Sequence, residues 1–317
     1  MPVLVVFAPT ACGKTDLALK LFGKDSLSCF ANRAEIISAD SMQVYKGMDI
    51  GTAKPDADFI EKIPHHLIDI CNPTDVFSAG DFVRCAEIAC KEIIKKNKLP
   101  VILGGTGFYI RNFICGLPTT PEANADLREK LKKRMEQEGA SVLYNELKEI
   151  DSISAKRIHI NDKYRILRAL EVFYASGKPL SNFDLSGETR HGFKFCTIIL
   201  ERDRQELYER INLRVKLMFE QGLVQEVENL IAQGHTKDEP GMQAIGYREF
   251  FSEEAANIDN IDERLEFIQN LISLDSRKYA KRQYTFFKGI PNANRFNASD
   301  IDLISSCVKS FYDSIEN

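Results

Sequence analysis

Apolar residues along this chain first run together, then recur at helical spacing, then give way to a long polar stretch. Val3-Leu4-Val5-Val6-Phe7 is an unbroken apolar and β-branched run, the pattern of a strand buried on both faces of a parallel sheet. Thr15 to Phe22 reads as a helix, and Glu35-Ile36-Ile37-Ser38-Ala39-Asp40 as a second short strand ending in polar residues. From Gly47 to Thr74 Pro, Gly and Asp recur without a sustained period, which predicts a long functional loop. Ser78 to Lys96 sets Phe82, Ala86, Ala89 and Ile93 at helical spacing. Pro100-Val101-Ile102-Leu103 predicts another buried strand, ending in Gly104-Gly105-Thr106. Strand, helix and strand in this alternation predict a parallel α/β sheet with right-handed crossovers.

The rhythm then changes. Pro118 to about Ser186 is charged and helical with no strong strand, and Lys194-Phe195-Cys196-Thr197-Ile198-Ile199-Leu200 restores a sheet strand. At 317 residues the chain is long for one typical domain and short for three. The simplest account is a core of residues 1–117 and 193–317, with a helical insertion at 118–192. The remainder reads as helical: Asp203 to Gln221 stopped by Gly222, Leu223 to Gln233 stopped by Gly234, and a long helix from about Ile261 to Lys288. Asn260 with Glu263 gives that last helix a capping-box-like start. There is no internal repeat or low-complexity tract.

Composition narrows the function classes. A hydrophobic fraction of 44% supports a sizeable core, and a net charge of −4 excludes non-specific nucleic-acid coating as the main theme. Any nucleic-acid contact must come from local basic patches. Ser276 to Lys288 is one, with five basic residues, no acid, and Tyr279, Tyr284, Phe286 and Phe287 interleaved. On a helix Arg277, Lys281, Tyr284 and Lys288 share a face, which suits phosphate contact with base stacking, or else a solvated face whose aromatics are core. Lys156, Arg157, Lys163, Arg165 and Arg168 form a second cluster, in the insertion. The eight cysteines are scattered with no CxxC pair, which argues for reduced thiols and against structural zinc. The apolar run Val3–Ala8 is too short for a signal peptide or a membrane span, so a soluble, cytoplasmic monomer is expected.

Ala8-Pro9-Thr10-Ala11-Cys12-Gly13-Lys14-Thr15 matches the phosphate loop G-x-x-x-x-G-K-[ST] except for Ala8. In such a loop backbone N–H groups face the anion, the Lys reaches terminal phosphate oxygens, and the Thr hydroxyl helps hold Mg²⁺. A buried strand before it and a helix after it give the right setting. The methyl group of Ala8 is tolerable at negative φ. The fold class expected is therefore α/β, a P-loop NTPase-like parallel sheet core with a helical insertion domain. The loop alone leaves kinase, NTPase and their relatives open. No guanine-reading N-K-x-D is present, and Asp40 ends a strand but is followed by Ser41-Met42-Gln43-Val44-Tyr45.

Several further segments occur in order: Ser38–Gln43, Tyr45–Pro55, His65–Asp69, Gly104–Tyr109, Arg165–Glu171, Gly241–Arg248 and Lys281-Arg282-Gln283. With Ala8–Thr15, they make the chain resemble the tRNA dimethylallyltransferase family over nearly its whole length. The family differs at two positions, having usually Gly at position 8 and Ser or Gly at position 12, where this chain has Ala8 and Cys12. The resemblance implies transfer of a dimethylallyl group from dimethylallyl diphosphate to N6 of the tRNA adenine just 3′ of the anticodon, with Mg²⁺ as cofactor.

The chemistry assigns roles. A leaving diphosphate gains negative charge, so Lys14, the loop amides and a Mg²⁺ at Thr15 act most strongly in the transition state. The family resemblance adds Thr106 and Arg128 to the site, although Arg128 read alone is equally a solvated helix charge. The adenine amino group needs a carboxylate to accept its proton, and Asp40 is the candidate base. The competing reading has Asp40 supporting the Mg²⁺ ion from outside its ligand set, as in a kinase. The resemblance further implies tRNA contacts at Asp40, Ser41, Met42, Gln43, Tyr164, Arg165, Arg168, Gln243, Gly246, Tyr247, Arg248, Lys281, Arg282, Gln283 and Lys288. The competing functions are prenyl transfer to free adenine nucleotides, a small-metabolite kinase, and an RNA-binding protein with a degenerate loop.

Overall fold

The computed structural model describes residues 1–121, 124–183 and 188–316. The chain divides into two compact units, Met1–Ile114 with Thr189–Asn317, and Cys115–Glu188. In the first unit β1 (Pro2–Phe7) leads through the phosphate loop to α1 (Lys14–Phe22), β2 (Ala34–Ala39), α2 (Ala57–Lys62), β3 (His65–His66), α3 (Ala79–Lys95) and β4 (Leu99–Gly104). Next comes α4 (Gly107–Cys115), which runs to the unit boundary. The second unit holds α5 (Ala125–Glu138), α6 (Ala140–Ile150), α7 (Ser152–Arg157) and α8 (Lys163–Ser176). The first unit resumes with β5 (Lys194–Glu201), α9 (Arg204–Glu220), α10 (Leu223–Ala232), α11 (Glu253–Ala256), α12 (Ile261–Phe287), β6 (Ala293–Asn297) and α13 (Ile301–Glu316).

The sheet runs β3-β2-β4-β1-β5-β6 and every pairing is parallel. That confirms the expected parallel α/β class. In β1, Val3 to Phe7 are buried, as are all of β2 and β4, because parallel strands covered on both faces have no solvent side. One core packs β1, β2, β4 and β5 against α1 and α13 through Leu4, Val6, Ile36, Val101, Ile198, Leu17, Leu21 and Ile304. A second core joins Val44, Tyr45 and Met48 to Val215, Met218, Leu223, Val227, Tyr247 and Ile272. The helical unit has its own core of Leu131, Leu143, Leu147, Ile166 and Leu170.

Two expectations change. The stretch Gly47–Thr74 is not one continuous loop, since it contains α2, capped by the Asp56 side chain on the Phe59 N–H, and β3, paired with β2. A six-residue helix and a two-residue strand are too short to show a period. The region after Leu200 is not all helical either: β6 pairs with β5, from Thr197↔Ala293 to Glu201↔Asn297. Its sequence Ala293-Asn294-Arg295-Phe296-Asn297 is mostly polar because it lies at the sheet edge, where one side stays hydrated. The reciprocal capping box is on α3, between Ser78 and Asp81. On α12 the Asn260 side chain accepts from the Asp262 and Glu263 N–H groups.

Candidate active site

Parallel sheets place ligands beyond the C-terminal ends of their strands. Here that edge carries the phosphate loop after β1, Asp40 after β2 and Gly105-Thr106 after β4. A cavity of about 610 Å³ opens there, lined by Thr10, Ala11, Gly13, Lys14, Thr15, Asp40, Ser41, Met42 and Gln43. Arg210, Leu213, Arg214, Leu217, Met218, Ile245, Arg248, Tyr279 and Arg282 also line it.

The loop turns sharply at Ala11 and Gly13, with φ of 59° and 109°. Gly13 ends it as the N-cap of α1, and no side chain caps the helix. The N–H groups of the first turn are therefore left for an anion, favoured further by the helix dipole. The Lys14 ammonium donates to the carbonyls of Ala8 and Pro9, both at 3.0 Å. Burial lowers its pKa to about 8; Arg214 pushes the same way, while Cys12 and Asp40 oppose.

Three arginines pin the loop from outside. Arg202 Nε donates to Cys12 O (3.1 Å), Arg210 Nε to Ala11 O (2.9 Å) and Arg214 to Thr10 Oγ1 (3.1 Å). Arg214 is itself lowered in pKa by burial, an effect Asp40 opposes. None of the three stands out in the sequence. The one available signal was the i,i+4 spacing of Arg210 and Arg214 on α9, which puts both on one face.

Asp40 follows the last residue of β2, and its Oδ1 accepts from the Met42 N–H at 2.9 Å. Its Oδ2 has no hydrogen-bond partner among the described residues. Thr106 does not line the cavity. Its hydroxyl accepts from the Ser41 N–H (3.0 Å), and so it holds the Asp40 turn from behind. Tyr279, close to Thr106 and Asp40, is pushed up to about 12 by burial and then by the Asp40 charge, so its hydroxyl stays protonated.

The residues expected to contact tRNA separate into groups. Asp40, Ser41, Met42, Gln43, Gln243, Arg248 and Arg282 line the cavity. Lys281 and Arg282 are exposed on α12 and Lys288 just past its end, with Arg282 over the Tyr279 ring at 5.7 Å. Gln283 also borders the cavity but is buried, its amide spent inside the protein. Oε1 accepts from the Thr10 N–H (3.2 Å) and Nε2 donates to Gly105 O (2.8 Å). Tyr247 is fully buried, with its hydroxyl donating to Glu226 at 2.6 Å, and Gly246 packs on Gly51 with φ 104°. The expected basic-aromatic face of α12 is part core: Phe287 packs against Phe7, and the Tyr284 hydroxyl bonds the backbone of Arg202.

Arg128, Tyr164, Arg165 and Arg168 belong to the second unit. There Arg128 and Arg168 both pair with the buried carboxylate of Glu171, at 2.9 and 3.2 Å. The Arg128 guanidinium also lies 5.8 Å from the Tyr164 ring centre. Tyr164 and Arg165 are exposed.

No group of three or more His, Cys, Asp or Glu side chains could hold a metal among the described residues. No described helix is long and apolar enough to cross a membrane.

Comparison with known proteins agrees along the chain. The pattern of the IPP transferase family matches residues 43–290. A tRNA dimethylallyltransferase of Acetivibrio thermocellus is 42% identical over 312 residues, covering 97% of this chain and 95% of that protein. One from Clostridioides difficile is 41% identical over 305 residues, covering 96% and 94%. The crystal structure of a full-length tRNA isopentenylpyrophosphate transferase from Bacillus halodurans superposes with a TM-score of 0.66 at 34% identity, covering 99% of both chains. A eukaryotic dimethylallyltransferase acting on tRNA gives a TM-score of 0.75 at 26% identity, covering 98% of this chain and 77% of that one.

Proposed function

Because this chain belongs to the IPP transferase family, we propose that it transfers a dimethylallyl group from dimethylallyl diphosphate to tRNA, at N6 of the adenine just 3′ of the anticodon. The observation that carries this reading is one cavity that combines a phosphate loop, a carboxylate and an apolar wall of Leu213, Leu217, Met218 and Ile245. That wall suits the apolar chain of a prenyl diphosphate.

The diphosphate sits on the first-turn amides of α1, with Lys14, Arg210 and Arg214 around it, and its negative charge grows as the allylic C–O bond breaks. The residues present fit a Mg²⁺ ion. Thr15 offers an exposed hydroxyl at the loop, and Mg²⁺ binds few protein groups, completing its shell with phosphates and water. Bound there, it would neutralise phosphate charge. Asp40 accepts the N6 proton, giving the amino group its nucleophilicity as the N–C bond forms. Reaching that nitrogen requires the base to leave the anticodon stack and enter the cavity. Gln43, Gln243, Arg248 and Arg282 border its path, and Lys281 and Lys288 meet phosphates. On the second unit Tyr164, Arg165 and Arg168 carry tRNA contacts. The enzyme works as a cytoplasmic monomer.

The deciding assay incubates the purified chain with labelled dimethylallyl diphosphate, Mg²⁺ and either tRNA or AMP. Label on tRNA alone is the expected result. Label on AMP alone, or phosphate transfer from ATP to a small metabolite, overturns the reading.

A further inference from the structure

Glu226, on α10, lies outside the residues that line the cavity. Its carboxylate nevertheless collects four donors. Oε2 accepts from the N–H groups of Asp49 (2.9 Å) and Ile50 (2.8 Å), and Oε1 from the Gly51 N–H (3.1 Å) and the Tyr247 hydroxyl (2.6 Å). It forms no ion pair among the described residues. A carboxylate that binds three successive backbone amides and a phenol fixes the path of a chain segment, not a charge balance.

That segment leads into the cavity wall. Gly51, Thr52 and Ala53 line it, and the carbonyls of Thr52 and Ala53 accept from Gln43 Nε2, at 3.3 and 3.1 Å. Gln43 Oε1 accepts in turn from Ser38 Oγ at 2.9 Å, which ties this wall to β2 just ahead of Asp40. The approach is too close for larger residues: a Cβ on Gly51 would lie 2.4 Å from the Tyr247 ring, and one on Gly246 3.2 Å from Gly51 O. The diphosphate end is held by a separate set, Gln283, Arg202, Arg210 and Arg214, none of which bonds to residues 49–53.

We propose that Glu226 is a positioning residue for the acceptor nucleoside: through residues 49–51 it sets the wall against which the acceptor base lies beside Asp40. This inference rests on the transfer to tRNA proposed above. Its consequence is a split in kinetics. Disturbing Glu226 harms use of tRNA and leaves use of dimethylallyl diphosphate alone.

The test first establishes transfer to tRNA by the unaltered chain; failure there overturns the activity reading and this inference with it. Steady-state kinetics then compare Glu226→Gln, in which an amide NH₂ replaces one acceptor and opposes the backbone N–H donors. The expected result is a KM for tRNA raised about tenfold or more, with the KM for dimethylallyl diphosphate unchanged. Unchanged parameters for tRNA, or equal losses for both substrates, overturn the inference while the activity stands. If Glu226→Gln does not fold, Tyr247→Phe decides, since it keeps the three backbone bonds and removes one donor. A rise of about threefold in the tRNA KM alone supports the role, and no rise overturns it.

Discussion

Lys14 is expected to set a pH limit on the proposed diphosphate binding. Its ammonium lies half-buried against the carbonyls of Ala8 and Pro9, and burial takes its pKa from the usual 10.5 to about 8. A bound diphosphate brings negative charge beside it and drives the pKa back up. The sign of the effect follows. Below about pH 8 the group is already charged when ligand arrives, so affinity does not depend on this proton. Above that pH each binding event takes up a proton, and affinity falls about tenfold per pH unit until the pKa of the complex is reached. If the complex restores 10.5, the fall from about pH 8 to that value is about 300-fold, or about 3 kcal/mol. Calorimetric titration with dimethylallyl diphosphate in the absence of tRNA, from about pH 7 to about pH 10, reads the slope. Buffers of different ionisation enthalpy count the proton. Lys14→Met is expected to bind more weakly at neutral pH and to lose the slope. Burial raises the Cys12 thiol above its usual 9.0, and Cys12→Ser removes it as a second source. A flat wild-type profile, or a Lys14→Met profile with the wild-type slope, would show that the Lys14 proton does not govern binding.

Asp40→Asn keeps the oxygen that accepts from Met42 but cannot take a proton, so single-turnover transfer is expected to slow by about 10²–10⁴-fold with little change in diphosphate affinity. An unchanged rate would return Asp40 to a supporting place beside a metal. Arg282→Ala removes an exposed guanidinium at the cavity rim. It should weaken tRNA binding and lower the salt slope of that binding by about one, leaving diphosphate affinity as it was. Gln283→Leu orphans the Thr10 N–H and the Gly105 carbonyl, and a loss of about 1–3 kcal/mol in urea unfolding is expected, with weaker diphosphate binding. Full stability in that variant would mean that these groups find other partners.

What the sequence displays and what it hides divide along physical lines. Strands β1, β2, β4 and β5 are legible because burial on both faces makes each a run of apolar residues. β3 and β6 are not, since one is two residues long and the other, at the edge, tolerates Asn and Arg. Lys14 is legible from the phosphate-loop pattern after β1, and Asp40 because it directly follows β2, where a parallel sheet presents its ligands. Arg202, Arg210 and Arg214 are hidden because their partners are backbone carbonyls and one hydroxyl some two hundred residues earlier in the chain. A helix pattern shows which residues share a face but not what that face meets. Tyr247 and Gln283 belong to segments that point to RNA, and only burial reveals that one secures the cavity wall and the other the phosphate loop.

Ala8 stands where the phosphate-loop pattern has glycine, and the backbone explains why a methyl group is accepted there. The left-handed residues of the loop are Ala11 and Gly13, so the turn that demands glycine lies beyond position 8. Ala8 extends β1, donating its N–H to Gly104 O at 3.3 Å, and its side chain is fully buried in the main core. Its carbonyl accepts from Lys14, a bond that any residue provides. Ala8→Gly therefore removes one buried methyl group and adds freedom to the unfolded chain, a cost of about 1–2 kcal/mol in urea unfolding. The amides proposed to meet the diphosphate stay where they are, so its affinity should not change. Ala11→Gly is the contrasting variant, because an alanine at φ 59° carries about 1–2 kcal/mol of strain that glycine relieves. Stronger diphosphate binding in Ala8→Gly would refute this account and show that the methyl group distorts the loop. Unchanged binding together with the stability loss would show that the arginines, Gln283 and the turn at Ala11 and Gly13 give the loop its shape, leaving position 8 to the demands of the core.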